Sequence, residues 1–320
     1  MKNLIIVLLL TAVGCTQQGP YKTIGTIERI DPSLDEIVSP NAKAEIIAEG
    51  FDWSEGPVWV ENEKMLLFSD VPRDTVFKWT ETKGKEVYLT PSGYTDTVKR
   101  GGEIGSNGLA LNNKGNLVLC QHGNRQIAQM DASLDKPEPK YITLAGKYDN
   151  KKFNSPNDLV YNSNGDLFFT DPPYGLEEHM NDPKKESPFQ GVYKVKSSGE
   201  VVLLVDSLTR PNGIAFLPGE KTLLIANSDS EKPNWYAFDV GDNDSLTNGR
   251  IFYSASGYDT SLKGLPDGMK ADKNGNVFAS GPGGIWIFNK NGKLLGKIKL
   301  DDAASNCAFS PDEKTLYVTN

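Results

Sequence analysis

Histidine, cysteine and positive charge are all in short supply in this chain of 320 residues. Its two histidines and three cysteines leave few nitrogen and sulfur ligands for a zinc site. The 34 lysines and arginines are outnumbered by 42 aspartates and glutamates. Because an acidic protein repels phosphate groups, nucleic acid and anionic lipid surfaces are poor partners for it.

Long apolar runs are missing too, and the N-terminal run, residues 4–13, is too short for a bilayer-spanning helix of roughly 20 residues. It follows Lys2 and leads into "TAVGC", which resembles a bacterial lipoprotein box. We therefore expect a lipoprotein signal peptide over residues 1–15 that ends at a lipidated Cys15. This predicts a protein of the bacterial cell envelope that faces the periplasm and touches the membrane only through its lipid anchor. An ordinary signal peptide with an incidental cysteine is the alternative, and residues 16–42 are expected to form a polar tether.

No stretch keeps a helical period of 3.6 residues, which argues against the crossover helices of a doubly wound α/β fold. The 31 glycines and 19 prolines instead predict many turns, as in an all-β protein. Cys120 and Cys307 lie far apart in strand-like segments, and we expect them to be buried free thiols.

A repeated unit dominates the rest of the chain. The copies "SEGPVWVENEKMLLFSD", "SNGLALNNKGNLVLCQH" and "PNDLVYNSNGDLFFTD" each join a small residue or proline, a polar residue, a strand, a turn and a second strand. Three further copies begin at Pro211, Pro266 and Ser305. The polar residues are Glu55, Asn107, Asn157, Asn212, Asp267 and Asn306. Two more strand-like segments follow most copies, so the unit is a meander of four strands.

Six such units over residues 43–320 predict an all-β, six-bladed β-propeller. The sixth copy contains only two strands, so one strand of the last blade is expected either to lie beyond Asn320 or to be absent from a thinner blade. Residues 43–50 form a spare strand that we expect to close this blade, because closure removes an exposed sheet edge.

The first strand of each propeller blade lines the central channel, so the polar residues of the repeat should meet in one ring. Two of them, Glu55 and Asp267, are acids that would repel each other in a narrow tunnel unless a cation lay between them. Oxygen ligands of this kind suit Ca²⁺, with Mg²⁺ or Mn²⁺ as substitutes. The alternative for any single asparagine is a turn-forming role without metal, but glutamate is a poor turn residue.

Nine motifs in series, among them "SEGPVW", "NSPNDLV", "FTDPPYG", "PNGIAF" and "PDGMKAD", resemble the SMP-30/gluconolactonase/regucalcin family and especially its bacterial gluconolactonases. The resemblance runs from Phe51 to Asn320. It implies a six-bladed propeller that holds one divalent metal, usually calcium, and hydrolyses sugar lactones.

Matched motif by motif, the resemblance implies metal ligation by four residues: Glu55, Asn157, Asn212 and Asp267. It also implies that Asp267 activates the water and that Asn107 contacts the substrate. Regucalcin-type members carry an arginine two residues before this asparagine, where the present chain has Gly105, so the sugar specificity is open.

Two further residues have alternative interpretations. His122 either holds a backbone turn or serves substrate binding or proton transfer, and Asp171 either caps a turn or contacts a substrate hydroxyl. The leading expectation is a gluconolactonase-like lactonase with a small lactone as substrate. The alternatives are hydrolysis of another cyclic or phosphorus ester, or a non-catalytic calcium-containing propeller that binds a sugar or a protein. No G-x-S-x-G motif is present, which argues against a serine esterase.

Overall fold

A computed structural model describes residues 21–241 and 245–320, and it gives the backbone of residues 3–9. Within these residues the chain forms five four-stranded antiparallel blades from consecutive segments. Blade 1 comprises Ser54–Val60, Met65–Asp70, Thr75–Thr80 and Gly84–Leu89, and blade 2 comprises Ser106–Leu111, Leu117–Gln121, Gln126–Met130 and Tyr141–Ala145. Blade 3 comprises Leu159–Tyr161, Leu167–Asp171, Gly191–Val195 and Val201–Val205, and blade 4 comprises Pro211–Phe216, Thr222–Asn227, Asn234–Val240 and Leu246–Ser254. Blade 5 comprises Met269–Ala271, Val277–Gly281, Gly284–Phe288 and Leu294–Lys299.

Both ends of the chain combine in a further, five-stranded sheet, which we call the closing sheet. Its strand order is Lys22–Ile24, Ala44–Phe51, Asn3–Leu9, Thr315–Thr319 and Asn306–Phe309. The all-β propeller is thus confirmed, but the described residues contain five consecutive blades and a composite sheet instead of six like units. The predicted spare strand does join the last repeat's sheet, as expected.

The middle strand of the closing sheet, Asn3–Leu9, falls within the predicted signal peptide. It pairs antiparallel with Thr315–Thr319 on one side and with Ala44–Phe51 on the other. Cleavage before Cys15 would remove this strand from the sheet. Cys15 itself lies outside the described residues.

The prediction of a polar tether is wrong for residues 21–42. Thr26–Arg29 extends the edge of blade 5, and a short 3-10 helix spans Pro32–Glu36. Leu34 and Val38 are fully buried in the apolar cluster between blade 5 and the closing sheet. Isolated apolar residues in a polar segment produce no periodic signal, yet their burial holds the segment on the propeller surface.

The second strand of each blade is buried on both faces, because neighbouring blades stack against it. Met65–Asp70 and Val277–Gly281, for example, are buried at every position, so their sequences are nearly continuous small and apolar runs. Burial of a large apolar side chain such as Phe68 or Phe168 contributes about 1.5–3 kcal/mol. These inter-blade cores form a rigid frame for the ends of the inner strands.

A few smaller features complete the fold. Lys147–Tyr148 and Lys151–Lys152 form a two-stranded ribbon, and a second 3-10 helix spans His179–Asn181. Cys120 and Cys307 are buried and free, as predicted. Among the described residues, no helix combines the length and apolar character needed to cross a membrane.

Candidate active site

The inner strands of the blades begin around a cavity of about 340 Å³ at one face of the propeller. Five of the six residues that the repeat predicts to lie together line this cavity: Glu55, Asn107, Asn157, Asn212 and Asp267. They come from five different blades. Their convergence follows from the blade symmetry, because each occupies the same place at or just before the start of its inner strand.

Glycines allow the inner strands to approach this closely. A Cβ atom on Gly56 would lie 2.2 Å from the carbonyl oxygen of Asn107 in the next blade. A Cβ on Gly213 would lie 2.2 Å from the carbonyl oxygen of Asp267. Real Cβ atoms do not come so near, so the glycine after a ring residue sets the ring's diameter.

Glu55 and Asp267 form an acidic pair in this cavity. Burial raises the pKa of Glu55 to about 8, with further contributions from the negative charges of Asp158 and Glu103. Burial also raises the pKa of Asp267 well above its ordinary value, and the charge of Glu55 adds to the effect. Since each carboxylate is close enough to disfavour ionisation of its neighbours, a bound cation would stabilise the charged form of the pair.

The oxygens of the pair have few protein donors. One oxygen of Glu55, Oε2, accepts a hydrogen bond from its neighbouring amide, Gly56 N, at 3.0 Å. Asp267 Oδ1 is buried and has no hydrogen-bond partner among the described residues. Buried acceptors are normally satisfied, so an unsatisfied one at a cavity indicates a ligand position.

Amide side chains complete the oxygen-rich rim, and their backbones are fixed. Asn157 N donates to Thr170 O at 2.8 Å, and Thr170 Oγ1 donates to Asn212 O at 2.7 Å. Asn107 Oδ1 is buried without a partner in the described part of the chain. Main-chain bonds of this kind leave the side-chain oxygens available to a ligand.

These residues fit a divalent cation that prefers oxygen. No three His, Cys, Asp or Glu side chains in the described residues group closely enough to hold a metal alone. A site here therefore requires the two amides as well as the two acids, and mixed carboxylate and amide oxygens are the ligand set of Ca²⁺. The unsatisfied Asp267 oxygen and the uncompensated charge are the observations that support the fit.

Asn306, the sixth member of the predicted ring, is bound to the protein instead. Its Oδ1 accepts from Cys307 N at 2.8 Å, and its Nδ2 lies 3.5 Å from Asp158 Oδ2. Asp158 Oδ2 also accepts a long bond, 3.4 Å, from Ile214 N across the blade boundary. Asn306 and Asp158 thus join the inner strands to one another.

Sequence reasoning missed several cavity residues, notably Glu103, Tyr174 and Arg210. They lie outside the repeated positions, in loops whose lengths differ between blades. An alignment of the repeats therefore could not predict that they line the cavity. Burial raises the pKa of Glu103, whose Oε2 lies 3.7 Å from His122 Nδ1. The cavity therefore contains a third acid and one arginine.

Asp171 and His122 do not line the cavity. Asp171 is fully buried, and its two oxygens accept backbone hydrogen bonds from Asn154 N and Ser155 N, each at 2.8 Å. The structure therefore supports the turn cap for Asp171 and does not support the predicted contact with a substrate hydroxyl. His122 is also fully buried, beside Glu103, and neither of its ring nitrogens has a hydrogen-bond partner among the described residues. Burial lowers its pKa to about 3, so it is neutral, and its role in substrate binding or proton transfer stays a prediction.

The fold and the site define the class of the protein: an all-β propeller with an acidic, oxygen-lined cavity where its inner strands converge. Comparison with known proteins then gives the family. Residues 53–320 match the model of the SMP-30/Gluconolactonase/LRE-like region, and the chain belongs to this family. The resemblance predicted from the motifs is confirmed.

Individual relatives cover nearly the whole chain. A gluconolactonase of Zymomonas mobilis is 38% identical over 303 residues, which are 93% of this chain and 84% of that protein. A regucalcin of Xenopus laevis is 26% identical over 280 residues, 86% of this chain and 85% of that protein. Among solved structures, the Xanthomonas campestris gluconolactonase XC5397 is 28% identical with a TM-score of 0.78, covering 95% of this chain and 99% of that one.

Proposed function

We propose that this protein is a metal-dependent lactonase that opens sugar lactones, with an aldonolactone such as gluconolactone as substrate. The observation that carries the proposal is that Glu55 and Asp267 line one cavity and that Asp267 Oδ1 has no hydrogen-bond partner among the described residues. Membership in the gluconolactonase family and the 38% identity to the Zymomonas mobilis enzyme support the same reaction.

Glu55, Asn157, Asn212 and Asp267 would hold the cation, and Ca²⁺ is the proposed ion, with Mg²⁺ or Mn²⁺ as substitutes. When bound, a divalent cation supplies polarisation of the lactone carbonyl and stabilises negative charge on its oxygen. The relative named regucalcin supports calcium.

The chain's own residues supply orientation and proton transfer. Asp267 can accept a proton from the water that adds to the lactone carbonyl, since its Oδ1 has no competing donor in the described structure. The free Oδ1 of Asn107 can accept a hydrogen bond from a sugar hydroxyl and orient the ring. The bond between the carbonyl carbon and the ring oxygen then breaks, and the proton held by Asp267 passes to the ring oxygen. The product is the open hydroxy acid, and water is the only co-reactant.

The function is tested by initial rates of gluconolactone hydrolysis, measured above the spontaneous rate. Activity should disappear with a chelator and return with added Ca²⁺. A panel that includes aryl and phosphorus esters separates the alternatives: a phosphorus ester as the preferred substrate would replace the lactone assignment. Calcium binding without turnover of any ester would identify a binding propeller and contradict the proposal.

The closing sheet and the cell location belong to the same proposal. In the lipidated protein, from which cleavage before Cys15 would remove Asn3–Leu9, the remaining strands of the closing sheet would re-pair as a sixth blade, giving the six-bladed propeller expected from the repeats. A lipid anchor at Cys15 would place the enzyme at the bacterial envelope. Metabolic labelling with a fatty acid tests this: the wild type should incorporate the label, and Cys15→Ser should not.

A further inference from the structure

A second cavity of about 320 Å³ adjoins the main one. The two cavities share a wall, because Tyr174 and Arg210 line both of them. The rest of the second cavity is formed by Pro173 and residues 178–181, which belong to the insertion between the second and third strands of blade 3. The second cavity, which we call the groove, thus lies directly beside the main one, across Tyr174 and Arg210, and the proposed lactone site leaves it unused.

We propose that this groove is a binding subsite for a second sugar ring, so that the preferred substrate is an aldonolactone carrying a glycosyl group. The inference rests on the proposed lactonase function and deepens it. The main cavity alone lies at the lower end of the roughly 300–1,000 Å³ range of small-molecule sites, which suits a single sugar ring. The adjoining groove offers about as much space again, directly across the side chains of Tyr174 and Arg210.

The shared wall has the chemistry that recognises a carbohydrate. Tyr174 presents an aromatic ring, whose apolar face packs against the C–H face of a sugar. Its hydroxyl donates to Ser228 O at 3.3 Å, which fixes the ring at the junction of the two cavities. Arg210 offers guanidinium donors for sugar hydroxyls on either side of the junction.

The charge of the groove favours a neutral ligand over a phosphorylated one. Its charged lining residues are one acid, Glu178, and one base, Arg210. The adjoining cavity adds the acids Glu55, Glu103 and Asp267 and no base other than Arg210, so even with the proposed cation bound it gives a phosphate group no second basic side chain. A neutral glycosyl group needs none.

The insertion that forms the groove is held in a defined conformation. Arg100 donates to Gly175 O, and Asp182 Oδ2 accepts from Glu178 N at 3.1 Å. His179 packs edge-on against Tyr174, with ring centroids 6.3 Å apart, and has a positive φ of 49°. A non-glycine residue in this conformation is strained, and such strain is maintained where the surrounding structure specifies it. A preformed groove binds without the cost of ordering a loop.

The test compares glucono-1,5-lactone with maltobiono-1,5-lactone, which carries a second glucose ring. We expect the wild type to show a KM at least about tenfold lower for the disaccharide lactone than for gluconolactone. The second sugar ring would add its hydrogen bonds and its stacking on Tyr174 to the binding free energy. Asn181→Trp fills the groove and should raise this KM about tenfold while the KM for gluconolactone stays within about twofold. Asn291→Trp, in an exposed turn between the third and fourth strands of blade 5, is the matched control and should change neither value.

Several results would overturn the subsite. They are equal KM values for the two lactones in the wild type, an equal effect of Asn181→Trp on both, or a preference for 6-phosphogluconolactone. If the wild type hydrolyses no lactone, the proposed function fails, and calorimetry with the neutral ligands maltitol and glucitol then decides the subsite separately. Tighter binding of maltitol that Asn181→Trp abolishes would support the subsite, and equal or absent binding would refute it.

Discussion

Two groups of buried acids occupy the same face of the propeller, and their surroundings differ in kind. Asp70 and Asp171 end second strands, and both bind backbone amides: Asp171 accepts from Asn154 N and Ser155 N, and Asp70 accepts from Trp53 N at 3.1 Å. Glu55 and Asp267 lie at the start of inner strands and face a cavity. Asp267 Oδ1 has no partner in the described residues.

The difference separates acids whose oxygens are bound by backbone amides from an acid with an oxygen available to a ligand. Burial raises the pKa of Asp171 to about 7, while the amides of Asn154 and Ser155 oppose the rise. Burial raises the pKa of Asp267 too, but there the next contribution is the neighbouring charge of Glu55, which acts in the same direction. Burial alone therefore does not distinguish the two groups, whereas the hydrogen-bond partners do.

The largest effect is expected for Asp267→Asn. Loss of the carboxylate removes both the proton acceptor and a charged ligand, so kcat for gluconolactone should fall at least about 10³-fold. Circular dichroism should show the same strand content as the wild type, because the side chain lies at the cavity and not between the blades. A wild-type rate in this variant would show that Asp267 is neither the proton acceptor nor an essential metal ligand.

Glu55→Gln should weaken the metal without unfolding the protein. The substitution keeps the shape of the side chain but removes one of the two proposed anionic ligands. Because ligand charge sets calcium affinity, Kd measured by calorimetry should rise at least about tenfold. Unchanged calcium binding would show that the acidic pair serves another purpose.

Gly213→Ala tests whether close strand approach holds the ring together. The added methyl would lie 2.2 Å from Asp267 O, so the inner strands of blades 4 and 5 must separate. We expect a loss of about 1–3 kcal/mol in the free energy of unfolding, together with weaker calcium binding. Gly101→Ala is the matched control, since Gly101 also lacks a positive φ and an added methyl there would meet no described atom within 4 Å. A loss of stability no greater than that of the control would mean that the ring does not depend on this contact.

Asp171→Asn should have the smallest effect and the opposite pattern to Asp267→Asn. One of its two backbone amides loses its acceptor, which should lower the free energy of unfolding by about 1 kcal/mol. Calcium affinity and kcat per folded molecule should stay at wild-type values, as measured by denaturant titration, calorimetry and initial rates. A loss of activity without a loss of stability would restore Asp171 as a substrate contact.

The convergence of the polar residues at the main cavity could largely be predicted from the sequence, because these residues occupy equivalent positions of the repeat. Equal positions in successive blades become neighbours around the channel, so the register of Glu55, Asn107 and Asp267 was enough to place them together. Tyr174 and Arg210 could not be found in this way, since no repeated position contains them. Their place depends on how individual loops pack over the inner strands.

The N-terminal segment shows a second limit. Residues 21–42 lack an alternating pattern, so composition alone predicts a tether. Only the packing of Leu34 and Val38 against blade 5 and the closing sheet shows that the segment belongs to the folded body. Whether a single apolar side chain in a polar stretch is buried depends on its tertiary contacts, and the local sequence does not show these contacts.

A crystal structure grown with Ca²⁺ tests the proposed metal centre most directly. We predict one cation in the main cavity, bound by side-chain oxygens of Glu55, Asn157, Asn212 and Asp267 at about 2.3–2.6 Å. A cation bound elsewhere, or an empty cavity at saturating calcium with the two acids turned away from each other, would contradict it.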